Sequence, residues 1–151
     1  MKVAFDTSVL VAALLSAHRD HAHAIVWLDA VAGGNLVGVA SVHALNEVWS
    51  VLTKVPVSPP ISPRMAYEAI RNIAVCIEIA PLTREICTNA IDRCATKGLR
   101  SGAIFDALHL LTAEAVTADS FLTFNEKDFV RLTTETSPPI IVPSSKVPPS
   151  I

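Results

Sequence analysis

Short apolar segments typical of buried β-strands alternate along this chain with longer helical segments. The first strand, residues 2–6 with the sequence KVAFD, runs directly into the apolar helical segment SVLVAALLS. The same elements recur near the C-terminus, where a helix at residues 103–116 precedes the strand FLTF and a last strand, PIIV. Because parallel strands need helical crossovers between them, this alternation predicts a parallel sheet with helices on both faces.

The length of 151 residues suits one domain, and 51% of the residues are apolar. We expect residues 1–142 to form a single three-layer α/β/α domain around a mostly parallel sheet of about five strands. The stretch from 143 to 151 is rich in proline and serine, so we expect a disordered tail there. The high apolar fraction also indicates that part of the surface is buried against a partner.

The formal net charge is -2, whereas a non-specific polyanion binder is usually basic. Any contact with nucleic acid must therefore be local. A carboxylate at position 6 and the lack of a long apolar run predict no signal peptide and no membrane contact. The three cysteines contain no CxxC motif and are interpreted as reduced core thiols, which is typical of the cytoplasm.

Two carboxylates occupy positions that are unusual for purely structural residues. Asp6 ends the first strand, where open α/β sheets bind ligands, although it could equally cap the helix that follows. Asp106 lies in GAIFDALHLLTAEAV, where apolar residues surround the helix on nearly every side and indicate burial. A buried carboxylate is costly unless it is paired or binds a metal, so a functional role is favoured over an ion pair with Arg100.

The helix at residues 41–53, which Ser41 is expected to cap, carries Glu47 away from its apolar arc. Periodicity alone therefore predicts that Glu47 is a solvated surface residue. Both tryptophans, Trp27 and Trp49, are expected in the core. The histidine cluster HRDHAH is interpreted as a solvated helix start in preference to a zinc site. His109 is interpreted as a packing histidine in preference to a catalytic base.

Four segments, in this order and spacing, resemble the PIN-domain nucleases, and especially the VapC-type toxin ribonucleases of bacterial toxin–antitoxin pairs. They are FDTSVLV, ALNEV, SGAIFDALHLLTA and FLTFNEKDF. The resemblance implies a parallel-sheet α/β fold with acidic residues at the strand ends, which hydrolyses RNA with Mg²⁺ or Mn²⁺. It also implies three partners: an RNA substrate, a cognate antitoxin protein and a second copy of the chain in a homodimer.

The resemblance assigns the family's first three acidic positions to Asp6, Glu47 and Asp106, as catalytic residues and metal ligands. The fourth position falls on Asn125, also expected to be catalytic, where an amide replaces the carboxylate of the full pattern. This departure argues against a second, tightly held metal ion. Asp128 could substitute as a ligand, but its spacing from Asn125 favours a capping pair at the start of a short helix.

Three further residues are candidates for substrate binding. Ser8 and Thr123 match polar positions that line the family's site, although helix capping and strand-end hydrogen bonding explain them as well. Arg100 precedes the helix that contains Asp106, and it either binds a substrate phosphate or is a surface charge.

These residues predict a divalent-metal-dependent endoribonuclease, the toxin of a toxin–antitoxin pair. Carboxylates are suitable ligands for Mg²⁺ or Mn²⁺, and such an ion activates water and neutralises a phosphate. The alternative is a non-catalytic PIN-like module that binds RNA or protein through a degenerate site, which Asn125 and the acidic balance favour. A phosphatase with an aspartyl nucleophile would need a second acid where Ser8 stands. Since only His109 is tied to the acids, we expect a water, not the RNA 2′-hydroxyl, to attack.

Overall fold

The computed structural model describes residues 1–143. Within them, five strands form one sheet in the order β3-β2-β1-β4-β5, and every neighbouring pair is parallel. The strands are β1 (Lys2–Phe5), β2 (Val37–Ser41), β3 (Glu78–Ala80), β4 (Ser120–Leu122) and β5 (Ile140–Ile141). The helices are α1 (Thr7–Leu14), α2 (His21–Ala32), α3 (Val42–Lys54), α4 (Pro63–Cys76), α5 (Arg84–Thr96), α6 (Ala103–Ala115) and α7 (Glu126–Val130). The predicted α/β class is confirmed.

The alternation of side chains along the central strands divides the core into two layers. Val3 and Phe5 of β1 pack with buried residues of α1, α2, α3 and α4, whereas Ala4 between them packs with α5, α6 and α7. In β4, Leu122 joins the first cluster and Phe121 joins the second. Successive residues of a strand point to opposite faces, so both faces of this sheet are covered by helices.

The strand order reverses at β1, and this reversal positions the site. From β1 the chain continues to β2 and β3 on one side, and it later returns to β4 and β5 on the other. In open α/β sheets, a crevice forms at such a reversal, outside the carboxyl ends of the strands. Asp6, Ser41 and Thr123 lie at the carboxyl ends of β1, β2 and β4, and the backbone N–H of Asp6 donates to Leu122 O at 2.9 Å.

Two predictions of burial are wrong. Trp27 is in the core, as predicted, but Trp49 is 45% exposed. Helix α3 buries only Ala44, Val48 and Leu52, a stripe spaced by four residues, and the residue after Val48 falls outside it. Among the cysteines, Cys94 is buried but Cys76, the last residue of α4, is exposed.

The expected tail lies outside the described residues except for its first residue, Pro143, which is buried. Within residues 1–143, no helix combines the length and the apolar character needed to cross a membrane.

The packing around Val3 and Phe5 predicts that two helical valines contribute very differently to the free energy of unfolding. Val9 of α1 is 0% exposed, whereas Val75 of α4 is 86% exposed. We expect Val9→Ala to lower the free energy of unfolding by about 2 kcal/mol, through lost burial and an unfilled cavity. Val75→Ala, the matched control, should change it by less than about 0.5 kcal/mol. Urea denaturation measures both, and equal losses would contradict the assigned core.

Candidate functional site

A cavity of about 660 Å³ opens at the carboxyl edge of the sheet, where the strand order reverses. Asp6, Glu47 and Asp106 all line it, although they come from α3, α6 and the end of β1. Its other polar lining residues are Thr7, Ser8, His18, Arg19, Asp20, Ser50 and Asn125. Three carboxylates that lie far apart in sequence therefore share one concave surface.

Asp6 is held by two hydroxyl groups. It occupies the N-cap position of α1, but its side chain makes no capping hydrogen bond. Instead, Oδ2 accepts from Ser8 Oγ at 2.6 Å and from Thr123 Oγ1 at 2.8 Å. The alternative of a simple helix cap is therefore wrong. Since Oδ1 has no hydrogen-bond partner in the part of the chain that the structure describes, it remains available for a ligand.

Glu47 is half-buried and bonded inside the protein, so the prediction of a solvated surface residue is wrong. Its Oε2 accepts from Thr7 Oγ1 and from His109 Nε2, both at 2.6 Å. His43 Nε2 lies 3.4 Å from Oε1. Burial by itself raises the pKa of Glu47, but the hydrogen bonds from His109 and Thr7 and the two nearby imidazoles outweigh it, and the net pKa is lowered.

His109 links three elements at the base of the site. It is buried, and its Nδ1 lies 2.7 Å from Ser41 Oγ at the end of β2. The network fits a tautomer in which Nδ1 accepts from Ser41 and Nε2 donates to Glu47. His109 is thus the satisfied packing histidine that was predicted, but its role in holding Glu47 was missed. Its position one turn after Asp106 on the same helix was the available signal.

Asp106 is half-buried, and its carboxylate has no hydrogen bond or ion pair within residues 1–143. Helix α6 is not buried all round, because Phe105 is 47% exposed. Desolvation, followed by the negative charges of Asp6 and Asp128, raises the pKa of Asp106 from 3.8 to about 6. A half-buried carboxylate that lies among like charges and has no basic partner of its own is the electrostatic pattern expected of a cation site.

Two of the three predicted substrate-binding residues do not reach the cavity. Arg100 is exposed and lines a separate, smaller depression with Cys94 and Ile104, so it neither pairs with Asp106 nor faces the site. Thr123 is fully buried, and its hydroxyl positions Asp6 instead of meeting a ligand. Ser8 lines the cavity, where its Oγ donates to Asp6 and accepts from Phe124 N at 3.1 Å.

Asn125 lines the cavity and is exposed. It stands at the N-cap position of α7, but its side chain makes no capping hydrogen bond. The capping pair expected with Asp128 is absent, because the backbone of Asn125 is not in the extended conformation of a capping residue. Asp128 pairs with Arg131 at 3.0 Å instead.

Whether a metal ion fits this cavity depends on the donor atoms that line it. Among residues 1–143, no group of three or more His, Cys, Asp or Glu side chains is arranged so that it could hold a metal. The single coordination sphere predicted for Glu47, Asp6 and Asp106 is therefore not formed within these residues, and Oε2 of Glu47 is bonded to Thr7 and His109 instead. The donor chemistry nevertheless fits a hard divalent cation, because two carboxylates that repel each other face one cavity with unused oxygens.

The expectation that only one histidine is tied to the acids is also wrong. His43 approaches Glu47 as well, and its ring stacks on Phe105 with centroids 5.3 Å apart. Neither His43 nor His109 lines the cavity, so this pair is not placed to serve as the base and the acid of an internal attack.

The sheet is fully parallel and lies between two helical layers, and an acidic cavity opens where the strand order reverses. These features define an α/β protein with a carboxylate site. A family model for the PIN domain matches residues 3–134. Ribonuclease VapC40 of Mycobacterium tuberculosis is 34% identical over 125 residues, which cover 77% of this chain and 81% of that protein. The chain belongs to the PIN-domain family.

Solved structures show the same fold. VapBC2 from Rickettsia felis, bound to a DNA fragment from the promoter, aligns with a TM-score of 0.67 and 21% identity, over 94% of this chain and 98% of that one. VapC20 from M. tuberculosis, described as a toxin that cleaves the sarcin–ricin loop, aligns with a TM-score of 0.64 and 17% identity, over 90% and 99%.

The raised pKa of Asp106 has a measurable effect on stability. An aspartate whose pKa is about 6 in the folded protein, against an ordinary 3.8, destabilises the folded state as the pH rises through that window. In excess chelator, we therefore expect Asp106→Asn to raise the Tm at about pH 8 and to have little effect near pH 4. Asp29→Asn, at an exposed position on α2, is the control. A difference in Tm that does not change with pH would contradict the assignment.

Proposed function

We propose that this chain is a divalent-metal-dependent endoribonuclease and the toxin of a toxin–antitoxin pair. The observation that carries the proposal is the cavity that Asp6 and Asp106 line together, close enough for the charge of one to raise the pKa of the other, in a chain 34% identical to a ribonuclease over 125 residues. The lack of a basic net charge is compatible with this function, because RNA would be bound by local contacts at the site and not by a positive field of the whole chain.

Mg²⁺ or Mn²⁺ would be held by Asp6 and Asp106, with Glu47 as the third ligand and the Asn125 amide as a neutral neighbour. Such an ion lowers the pKa of a bound water and offsets the negative charge of the phosphodiester. The hydroxyls of Ser8 and Thr123 fix the orientation of Asp6 in advance. Thr7 and His109 keep Glu47 ionised and hold it at the edge of the cavity.

The arrangement favours water as the nucleophile over the RNA 2′-hydroxyl. Internal attack calls for a general base and a general acid near neutral pH, often two histidines. His18 is the only histidine that lines the cavity within the described residues. Hydrolysis by water should leave a 5′-phosphate and a 3′-hydroxyl.

The mechanism predicts the effect of removing one ligand charge. Asp106→Asn keeps the shape of the side chain, so we expect an intact fold by circular dichroism and RNA cleavage reduced by orders of magnitude. Asp29→Asn should cleave like the wild type. The assay compares Mg²⁺, Mn²⁺ and excess chelator and identifies the product ends by mass spectrometry.

Full activity in chelator, or 2′,3′-cyclic phosphate ends, would show that the mechanism is wrong. Equal RNA binding by the wild type and Asp106→Asn, without cleavage by either, would support the non-catalytic binding module.

Assembly is proposed on the same family relationship, with a homodimer and an antitoxin protein as partners. Large apolar side chains stay exposed on α3, α4 and α6, and covering them by a partner removes apolar surface from water. They include Trp49, Val51, Met65, Tyr67 and Phe105.

We expect sedimentation velocity to give a dimer for the chain alone and a heavier complex after addition of the protein from the adjacent reading frame. The Trp49→Ser variant should weaken one of the two associations. A chain that stays monomeric at high micromolar concentration, with or without that protein, would contradict the proposed assembly.

A further inference from the structure

The loop between α1 and α2 brings a positive charge to the rim of the acidic cavity. His18, Arg19 and Asp20 of this loop line the cavity together with the carboxylates. The sequence of this segment favoured a solvated helix start over a zinc site and indicated no contact with the substrate. Among the described residues, Arg19 is the one arginine or lysine that lines the cavity.

Several hydrogen bonds fix the shape of this loop. His18 N donates to Leu15 O at 2.8 Å, and His21 N donates to His18 O at 3.0 Å. The backbone N–H of Asp20 donates to His18 Nδ1 at 3.1 Å, and His21 Nδ1 lies 2.9 Å from Ala12 O. A loop tied at these points holds the backbone of Arg19 in one position at the rim.

The guanidinium of Arg19 is hydrogen-bonded at Nε, whereas its two Nη groups are exposed. Its Nε donates to Asp20 Oδ2 at 3.1 Å, and neither Nη group has a partner within the described part of the chain. The side chain of Arg19 is 89% exposed, whereas that of Asp20 is 19% exposed. The exposed fork of a guanidinium matches the oxygens of a phosphate, with two donors in one plane.

The cavity is otherwise acidic, so the positive charge of the Arg19 guanidinium is significant for binding RNA. Every other charged side chain that lines the cavity is acidic, namely Asp6, Asp20, Glu47 and Asp106. A single-stranded RNA carries a phosphate at every nucleotide, so the phosphates beside the scissile one also approach this acidic surface. A cation at the rim offsets that repulsion where the strand enters.

We propose that Arg19 is a substrate-binding residue, which binds through its Nη groups a phosphate next to the scissile one on single-stranded RNA. The inference rests on the proposed function, because it takes the reacting phosphate to lie at Asp6 and Asp106. The contact is to the backbone, so it adds affinity for RNA of any sequence.

The test compares Arg19→Ala with Arg64→Ala. Arg64 is a matched control, because its Nε also pairs with a carboxylate, Glu68, at 2.9 Å, and its side chain is 81% exposed, but it does not line the cavity. Both changes are made in the full chain that carries Asp106→Asn, with Mg²⁺ present. The probe is a fluorescein-labelled single-stranded oligoribonucleotide of mixed sequence, and anisotropy gives its Kd at several salt concentrations.

Arg19→Ala should weaken binding about tenfold at low salt. It should also reduce the slope of log K against log salt by about 0.7, the value for one phosphate contact on a single strand. Arg19→Lys should keep the slope, and Arg64→Ala should change neither quantity. In Arg19→Ala, the Asp20 carboxylate loses its partner and could itself repel RNA. Measuring Arg19→Ala again in a chain that also carries Asp20→Asn removes this contribution to Kd.

In the active chain, Arg19→Ala should raise KM and leave kcat nearly unchanged, because the contact is the same before and during cleavage. Equal effects of Arg19→Ala and Arg64→Ala on Kd and on the salt slope would overturn the inference, even if the wild type cuts RNA. If the wild type does not cut RNA but Arg19→Ala still weakens binding selectively, the proposed function fails, whereas the contact between Arg19 and an RNA phosphate stands.

Discussion

The two hydrogen bonds that Asp6 accepts are the contacts on which the rest of the site depends. Ser8 belongs to α1 and Thr123 follows β4, so the carboxylate joins the two elements between which the cavity opens. This attachment holds Asp6 where its charge raises the pKa of Asp106. Because two hydroxyl groups hold Asp6, the folded chain cannot relieve the repulsion by moving Asp6 away. The ionised acids therefore destabilise the folded chain, and the cation proposed above would offset their repulsion.

Glu47 differs from these two acids, because it is bonded within the protein. Thr7 and His109 satisfy one of its oxygens, and Ser41 in turn fixes the ring of His109. The chain Ser41–His109–Glu47 thereby connects the end of β2 with α6 and α3. Both hydrogen bonds end on Oε2, so they fix the orientation of Glu47, whereas Oε1 has only the contact with His43 Nε2 at 3.4 Å within residues 1–143.

The sequence predicted the fold and the strand-end position of Asp6 well, because both follow from local patterns. Periodicity alone mispredicted Glu47, since its burial depends on Thr7 and His109, which lie 40 and 62 positions away, whereas the family resemblance assigned it to the site whose cavity it lines. Arg100 was a candidate for the site because it precedes α6 along the chain, but it lines a separate depression. Arg19 was overlooked for the opposite reason, because no periodicity marks a loop residue that reaches a cavity.

The central position of β1 has a consequence for the synthesis of the chain. The first strand emerges early, but one of its two neighbours, β4, begins only at Ser120. The hydrogen bond between Asp6 and Thr123 joins residues 117 positions apart, so the ribosome must release most of the domain before this contact forms. Contacts between such distant segments form late and slowly during folding. A nascent chain is therefore without a complete acidic cavity until Thr123 has left the ribosome.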